Sequence, residues 1–224
     1  MLVTGISSKR NVRKTRASGE AFVFAVIPTA WGYCGAIWKN HEDESANCFA
    51  ERPLGSLLCR LMTPGHSPSA LRAQMLKFPS CTEVFGDSRG TFHPEVVPEW
   101  FPELVRFLQG FYSAAVGERS RPHSGDNWSF WSARLDWSRV TPFQRQVLET
   151  TGNIPSGQTL TYGQVAKKIG KPAASRAVGM ALGANPWPVV VPCHRVIGTS
   201  GKLTGFSAPG GIETKRRMLE LEAR

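Results

Sequence analysis

A cysteine followed directly by a histidine and an arginine lies near the C-terminal end of the chain, at Cys193, His194 and Arg195. The thiolate is the reactive form of cysteine, and a neighbouring imidazole and a positive charge both lower the pKa of a thiol. We therefore predict that Cys193 is a nucleophile. For an isolated pair of this kind, a buried, inert cysteine beside a surface histidine is the favoured interpretation.

The segment before the cysteine is apolar and flanked by prolines. Residues 189–191 are three consecutive valines between Pro188 and Pro192. Valine is β-branched and favours extended backbone, and proline restricts the chain on either side. The sequence predicts a short buried strand or extended segment that ends at Cys193.

Two short helices are predicted just upstream. Thr161 and Gln164 have the spacing of a capping box, which predicts a helix over 162–169. A glycine and a proline at 170 and 172 end it, and a further helix follows over 173–183. This is the spacing of a DNA-binding helix-turn-helix, although short helical hairpins also occur in many proteins that bind no DNA.

A third helix, over 142–151, precedes this pair. Thr141 is placed to cap it, and Pro142 occupies the first helical position. We expect residues 138–224 to form one mostly helical domain.

The formal net charge of +10 is concentrated at the two ends of the chain. Residues 1–18 carry five bases and no acids, and residues 140–224 carry eleven bases against four acids, a net charge of +7. The middle segment is slightly acidic. This asymmetry predicts that the C-terminal third binds nucleic acid, with a merely soluble basic surface as the alternative.

The N-terminal part has the pattern of an α/β domain over 19–137, after a basic flexible tail over 1–18. Strands are predicted over 21–31 and 32–38, a helix over 98–117, a surface loop over 120–128 and a last strand over 130–135. A basic segment before an apolar run also resembles a secretory signal, but Pro28 interrupts the run, which favours a core strand.

Five cysteines, none in a Cys-x-x-Cys pair, indicate a reducing compartment, which we take to be the cytoplasm, with the nucleoid or the nucleus according to the host. Small buried side chains are the preferred interpretation of the first four. A zinc site remains an alternative, drawn from Cys34, Cys48, Cys59 and Cys81 with His41, His66 or His93.

The segment Pro192-Cys193-His194-Arg195-Val196, with Asn185-Pro186 upstream, resembles the active-site signature of the O6-alkylguanine-DNA alkyltransferases. Further segments match that family in order and spacing over about 130–224. They are Thr141-Pro142-Phe143-Gln144, Pro155-x-Gly157, Thr161-Tyr162-Gly163-Gln164-Val165-Ala166, Ser175-Arg176-Ala177-Val178-Gly179 and residues 198–222.

The resemblance implies a role for each residue of the reaction. Cys193 would accept the alkyl group, His194 would take the thiol proton through a water, and Glu222 would orient the imidazole. Tyr162 would donate a proton to the guanine ring, and Arg176 would enter the duplex in place of the extruded nucleotide. On residue type alone, Glu222 could equally be a solvated helix-end carboxylate and Tyr162 a core tyrosine.

The resemblance also implies two sets of binding residues. The alkylated base would be held by Tyr162, Asn185, Val191, Pro192, Ser207 and Lys215. The DNA would be contacted by Thr161, Lys171, Arg176 and Ala177. A mobile surface loop is the alternative interpretation of the glycine-rich segment that contains Ser207.

By the same resemblance, the chain would repair double-stranded DNA as a monomer, without a cofactor or a metal. It would transfer an alkyl group irreversibly, once, from O6-alkylguanine, with O4-alkylthymine left open. The implied fold is a ribonuclease H-like mixed sheet followed by a winged-helix-like domain with a helix-turn-helix. A non-catalytic alkyltransferase-like lesion binder is the main alternative, and a thiol hydrolase is a more remote one.

Overall fold

The structure is a computed structural model that describes residues 22–40, 56–78, 81–84, 97–113 and 127–223. The predicted basic tail over 1–18 and nearly all of the predicted loop over 120–128 lie outside these ranges. So do Cys48, His41 and His93, three of the residues considered as zinc ligands.

A four-stranded sheet forms the N-terminal part of the chain. Strand β1 (Phe22–Thr29) pairs antiparallel with β2 (Gly32–Asn40), and β2 pairs antiparallel with β3 (Ser56–Met62). The short strand β4 (Cys81–Glu83) lies parallel to β1, so that the strand order is β3-β2-β1-β4. The two strands predicted over 21–31 and 32–38 are confirmed as a hairpin.

Two helices accompany this sheet. Helix α1 (Pro68–Met75) is capped by Ser67 and contacts β1 and β2. Helix α2 (Phe101–Phe111) buries an apolar face, with Phe101 5.0 Å from Trp38 of β2 between ring centroids. The predicted helix over 98–117 is therefore confirmed in its central part, although it begins three residues later.

The strand predicted over 130–135 is wrong. The segment forms a short helix, α3 (Trp128–Ser132), and only Leu135 bridges to Leu58 at the sheet edge. Aromatic residues favour strands, which explains the prediction. In the structure, Trp131 instead buries its ring 5.5 Å from that of Phe107, a packing that the helical backbone permits.

The C-terminal part is helical. Helix α4 (Pro142–Gly152) and helix α5 (Tyr162–Lys168) each begin with a complete capping box, as the sequence predicted. Helix α6 (Ser175–Gly183) packs against both of them. Strands β5 (Leu160–Thr161) and β6 (Val196–Ile197) form a small parallel pair, and α7 (Gly211–Glu222) ends the described chain.

The turn between α5 and α6 requires a glycine. Gly170 has φ of +72°, and the amides of Gly170 and Lys171 bond to the carbonyls of Lys167 (3.1 Å) and Ala166 (2.9 Å). This is a Schellman motif, in which a left-handed residue satisfies the last carbonyls of a helix. The helix-turn-helix spacing predicted from the sequence is thus realised as two packed helices.

The outer edge of β3 joins the two parts of the chain. Leu61 donates its amide to the carbonyl of Pro186 (2.8 Å), and the indole of Trp187 donates to the carbonyl of Leu58 (2.8 Å). Trp187 is fully buried. These bonds anchor the segment that leads to Cys193 on the N-terminal sheet. No helix in the described ranges is long and apolar enough to cross a membrane.

Candidate active site around Cys193

Cys193 opens a single 3-10 turn (Cys193–Arg195) and is partly exposed. It lies on the wall of a cavity of about 530 Å³ between the two parts of the chain. Other residues of this wall include Asn185, Phe206 and Ser207 on the C-terminal side and Met62 and Phe78 on the N-terminal side. The cavity therefore borders the residue that carries the thiol.

The segment before Cys193 is buried, as predicted, but it is a turn and not an extended strand. The amide of Val191 bonds to the carbonyl of Trp187 (2.8 Å), and Val189 adopts φ of +75°. A positive φ is costly for a β-branched residue, so the surrounding bonds must hold it.

Asn185 supplies two of these bonds. Its side-chain amide donates to the carbonyl of Val191 (2.9 Å), and its side-chain oxygen accepts from the amide of Trp187 (2.9 Å). Both ends of the turn are thereby fixed by one side chain. Asn185 therefore supports the backbone of the turn that leads to Cys193.

Behind the cysteine, His194 and Glu222 are buried and bonded to each other. Nε2 of His194 lies 3.0 Å from Oε1 of Glu222, the last residue of α7. The two side chains come from residues 28 apart in the chain, and only the docking of α7 brings them together.

Arg195 completes a buried ionic cluster with Glu222. Its Nε donates to Oε2 of Glu222 (2.9 Å) and a terminal nitrogen donates to Oε1 (2.7 Å), while the other bonds the carbonyl of Ile154. This is a bidentate arginine–carboxylate pair. Arg195 therefore holds the carboxylate of Glu222 in place.

The charges of this cluster determine the state of the imidazole. Hydrogen bonds from His194 and Arg195 outweigh burial and lower the pKa of Glu222 to about 2. An ionised carboxylate only accepts hydrogen bonds, so Nε2 of His194 carries the proton. Burial lowers the pKa of His194, against the opposing effect of Glu222, so the ring stays neutral. Its Nδ1 is buried and has no hydrogen-bond partner in the described part of the chain.

The pKa of Cys193 is raised, and burial is the main cause. The side chain of Asn185 and the charge of Lys215 act in the opposite direction. This differs from the expectation that His194 and Arg195 would lower it. Because the thiol is protonated at neutral pH, it needs a base, and the free Nδ1 of His194 has the chemistry for that task.

Lys215 is fully buried, and a fully buried lysine normally has hydrogen-bond partners. Its ammonium donates to the carbonyls of Val196 (2.7 Å) and Thr204 (3.1 Å). Burial lowers its pKa, and a charge on Cys193 raises it. Lys215 therefore links helix α7 to the glycine-rich loop over 198–211 and adds positive potential at the sulfur.

Tyr162 lies at the start of α5, beside the same loop. Its hydroxyl donates to the carbonyl of Thr204 (3.1 Å), and the ammonium of Lys215 lies 5.7 Å from its ring centre. Burial raises the pKa of Tyr162, and a charge on Cys193 acts in the same direction. The hydroxyl therefore remains protonated and able to donate.

The remaining predicted base-binding residues lie either on the cavity wall or next to the cysteine. Ser207 lines the cavity, and its hydroxyl donates to the carbonyl of Gly183 (3.1 Å), which ties the loop to the end of α6. Val191 and Pro192 are buried next to the cysteine.

The predicted DNA-binding residues lie on the helical pair. Arg176 is exposed at the first turn of α6, and Ala177 is partly buried beside it. Lys171 is exposed, with its ammonium 5.1 Å from the ring centre of Phe143. The hydroxyl of Thr161 accepts the amide of Gln164 (3.1 Å) and so caps α5.

Sequence reasoning missed the contribution of α2 to the site. The ring of Phe111 lies 5.7 Å from that of His194 and covers it from the N-terminal side. The side chain of Tyr112 is buried beside Phe111. Burial is the main cause of the raised pKa of Tyr112, and charges on Cys34 and Cys193 raise it further. The helical periodicity of α2 indicated that these rings are core residues, but nothing local indicated what they cover.

The described residues contain no group of three or more His, Cys, Asp and Glu side chains that could hold a metal ion. Cys34 and Cys59 are fully buried, and burial raises the pKa of both thiols. These observations favour the interpretation of both as small core side chains.

Comparison with known proteins identifies what the chain resembles. Residues 142–224 match a family model described as the DNA-binding domain of 6-O-methylguanine DNA methyltransferase. A methylated-DNA–protein-cysteine methyltransferase of Mycobacterium tuberculosis is 46% identical over 123 residues, which is 55% of this chain and 69% of that protein. The protein of the same name from Shigella flexneri is 52% identical over 82 residues, or 37% of this chain and 47% of that protein.

Solved structures extend the similarity to the N-terminal part. The O6-methylguanine methyltransferase of Mycobacterium tuberculosis has a TM-score of 0.56 at 30% identity, over 90% of this chain and 93% of that one. The OGT of the same organism in complex with DNA gives the same score and identity over 90% and 92%. The O6-methylguanine-DNA methyltransferase of Pyrococcus kodakaraensis, at 24% identity and a TM-score of 0.52, shares the fold over 90% of this chain and 99% of that one.

Proposed function

The chain belongs to the 6-O-methylguanine DNA methyltransferase family, and from that premise we propose that Cys193 is the residue onto which it transfers an alkyl group. It repairs DNA by direct reversal of alkylated guanine. One observation carries the assignment of the acceptor: Cys193 lies on a cavity wall, directly before a buried His194 that is bonded to Glu222. A thiol, a base and a carboxylate in this order form a nucleophilic triad.

The reaction consists of one substitution and one net proton transfer. The sulfur of Cys193 attacks the alkyl carbon, the carbon–sulfur bond forms, and the bond from that carbon to O6 of guanine breaks. His194 takes the thiol proton at Nδ1 across an intervening water, and Tyr162 gives a proton to the departing guanine. Glu222 stabilises the imidazolium, and the proton on His194 later restores Tyr162 through solvent.

The product explains why each molecule acts once. A thioether has no leaving group that neutral water can displace, so the sulfur of Cys193 stays alkylated. The protein is therefore consumed in a stoichiometric reaction, and no cofactor takes part in the steps described. The buried Arg195–Glu222 pair restricts the motion of the imidazole throughout.

While the alkylated guanine stays paired and stacked in the duplex, its O6 substituent cannot enter the cavity beside Cys193, so the nucleotide must first rotate out. We infer that Arg176, exposed on α6, fills the vacated space. Asn185, Val191, Pro192, Ser207 and Lys215 would shape or support the pocket for the rotated base. Lys171, Ala177 and Thr161 would lie along the DNA backbone, which supplies most of the affinity.

We infer a ribonuclease H-like sheet over 19–137 and a winged-helix-like domain over 138–224. The antiparallel β3-β2-β1 arrangement with a parallel β4 supports the first, and helices α4 to α6 beside the β5–β6 pair support the second. Because the substrate is DNA, we expect the protein to work in the compartment that holds the genome.

Mass spectrometry tests the assignment of the acceptor. The protein is mixed with a duplex that contains one O6-methylguanine, digested and sequenced by fragmentation. We expect the mass of one methyl group on the peptide that contains Cys193, in an amount equal to the lesion lost. Cys81→Ser, which alters a partly exposed thiol on the sheet, is the matched control and should react fully.

The same experiment distinguishes repair from lesion binding. If the wild-type protein retains the methylated duplex on a native gel and never acquires the methyl group, the protein is a non-catalytic binder and the proposal is wrong. Cys193→Ser should bind the lesion but transfer nothing. Turnover of a simple ester by wild-type protein, without alkylation, would instead indicate a thiol hydrolase.

A further inference from the structure

A methionine protrudes from the outward face of α6. Met180 is 77% exposed, more than the other exposed large apolar side chains of the described ranges, Leu76 at 60% and Tyr33 at 38%. Single exposed apolar residues are common on protein surfaces and have no meaning by themselves. Met180 differs from such residues because it lies on α6, the helix that also carries Arg176.

Helical periodicity sorts the residues of α6 onto two faces. Val178, Ala181 and Leu182 are buried against the rest of the C-terminal part. The exposed positions are Arg176, Met180 and Gly183, which follow the i, i+4, i+7 spacing of one stripe. Whatever surface meets Arg176 therefore meets Met180 as well.

The neighbours of Met180 leave its side chain free to project. The next position along the stripe is Gly183, which has no side chain, and nothing lies within 4 Å of the place where its Cβ would be. The carbonyl of Gly183 also accepts a hydrogen bond from Ser207 (3.1 Å), which fixes the end of α6 to the rim of the cavity. Met180 is thus an apolar projection with a defined position relative to Cys193.

The helix suits close approach to a polyanion, since its nine residues include no acid. Arg176 and Met180 are four residues apart, which corresponds to a rise of about 6 Å along a helix. This distance is roughly two base-pair steps of duplex DNA. Methionine is flexible and polarisable, and apolar side chains, including methionine, are inserted between base steps by proteins that bend the duplex.

We propose that Met180 is a second DNA-inserting residue, an apolar wedge about two base-pair steps from the position filled by Arg176. Insertion of Met180 opens the groove and unstacks one base-pair step. This lowers the free energy that is needed to rotate the damaged nucleotide out of the duplex. This inference rests on the proposed function, because it takes the face that carries Arg176 to be the one that meets DNA.

The test measures binding of a methylated duplex by Met180→Ala, by fluorescence anisotropy over a range of salt concentrations. We expect the Kd to rise about tenfold, since an exposed methionine loses its apolar contact. The dependence of log Kd on log salt should keep the wild-type slope, because no phosphate contact is lost. Lys171→Ala, which removes a cation proposed to lie along the DNA backbone, should lower the slope by about one.

Two further variants separate a wedge from a general effect on folding. Met180→Leu preserves an apolar projection and should recover most of the affinity, and Leu76→Ala, directly after α1, should leave binding at the wild-type value. In each variant, the rate of transfer from the duplex is divided by the rate from free O6-benzylguanine, which needs no groove contact. This ratio should fall for Met180→Ala and stay constant for Leu76→Ala.

The results distinguish failure of this inference from failure of the proposed function. If wild-type protein transfers alkyl groups but Met180→Ala has the wild-type Kd and rate ratio, Met180 is not a DNA contact. A tenfold weaker Kd accompanied by a reduced salt slope would also contradict an apolar wedge. If the wild-type protein alkylates Cys193 from neither donor, the proposed function itself is wrong.

Discussion

Replacement of Glu222 by glutamine removes one charge from the buried cluster behind Cys193 while it preserves side-chain volume. Glu222 accepts bonds from His194 (3.0 Å) and from two nitrogens of Arg195 (2.9 and 2.7 Å). In Glu222→Gln, the guanidinium of Arg195 remains fully buried and loses the carboxylate charge of Glu222. Loss of one partner from a buried ion pair destabilises a protein by about 3–5 kcal/mol.

The pKa of Glu222 provides a second, independent magnitude. It falls from an ordinary 4.5 to about 2 on folding, and each factor of ten in proton affinity corresponds to about 1.36 kcal/mol. The charged carboxylate therefore contributes about 3 kcal/mol to stability. Because the folded pKa is the lower one, this contribution is complete above pH 4.5 and is lost as the pH falls towards 2.

Urea unfolding of both proteins at several pH values measures this contribution. We expect Glu222→Gln to be about 3 kcal/mol less stable at pH 7, and the difference to shrink to about 1 kcal/mol near pH 3. Glu213→Gln, on the exposed side of the same helix and paired with Arg216, is the matched control and should change stability by less than about 1 kcal/mol. A difference between wild type and Glu222→Gln that stays constant with pH would refute the reasoning.

Three further predictions follow from single features of the site. Transfer from free O6-benzylguanine should change little between pH 7 and 9, because burial raises the pKa of the Cys193 thiol and the neutral imidazole of His194 already serves as its base; a rate that rises steadily with pH would indicate attack by a free thiolate instead. Asn185→Ala should cost about 2 kcal/mol in urea unfolding and slow transfer, since it leaves the amide of Trp187 unpaired and removes one of the two bonds to the carbonyl of Val191; wild-type stability would show that these two side-chain bonds do not stabilise the turn. Thr161→Ala should cost about 1 kcal/mol through loss of its cap, and an unaltered urea midpoint would exclude that contribution.

The sequence predicted the C-terminal elements well because their signals are local. The capping boxes of α4 and α5 each involve residues three apart, and the glycine that ends α5 acts within its own turn. The hairpin of β1 and β2 was equally accessible, since its two strands are adjacent in the chain. Signals of this kind can be recognised in the sequence without knowledge of any tertiary contact.

The failures arose where packing overrides local preference. The aromatic segment of α3 favours strands by composition, but a helical backbone lets Trp131 reach Phe107. The valines at 189–191 also favour extended backbone, but bonds from Asn185 and the anchoring of Trp187 on β3 bend them into a turn with φ of +75° at Val189. Propensity is a weak prior against such contacts.

By itself, the sequence determined the candidate nucleophile, its neighbouring base and the helices that flank them, because residue types and short spacings carry that chemistry. Only the tertiary structure decided the electrostatics of the site. The docking of α7 pairs Glu222 with both His194 and Arg195, and burial raises the thiol pKa that the sequence led us to expect to be lowered. Charge and burial depend on residues that are far apart in the chain, and only folding brings them within hydrogen-bonding distance.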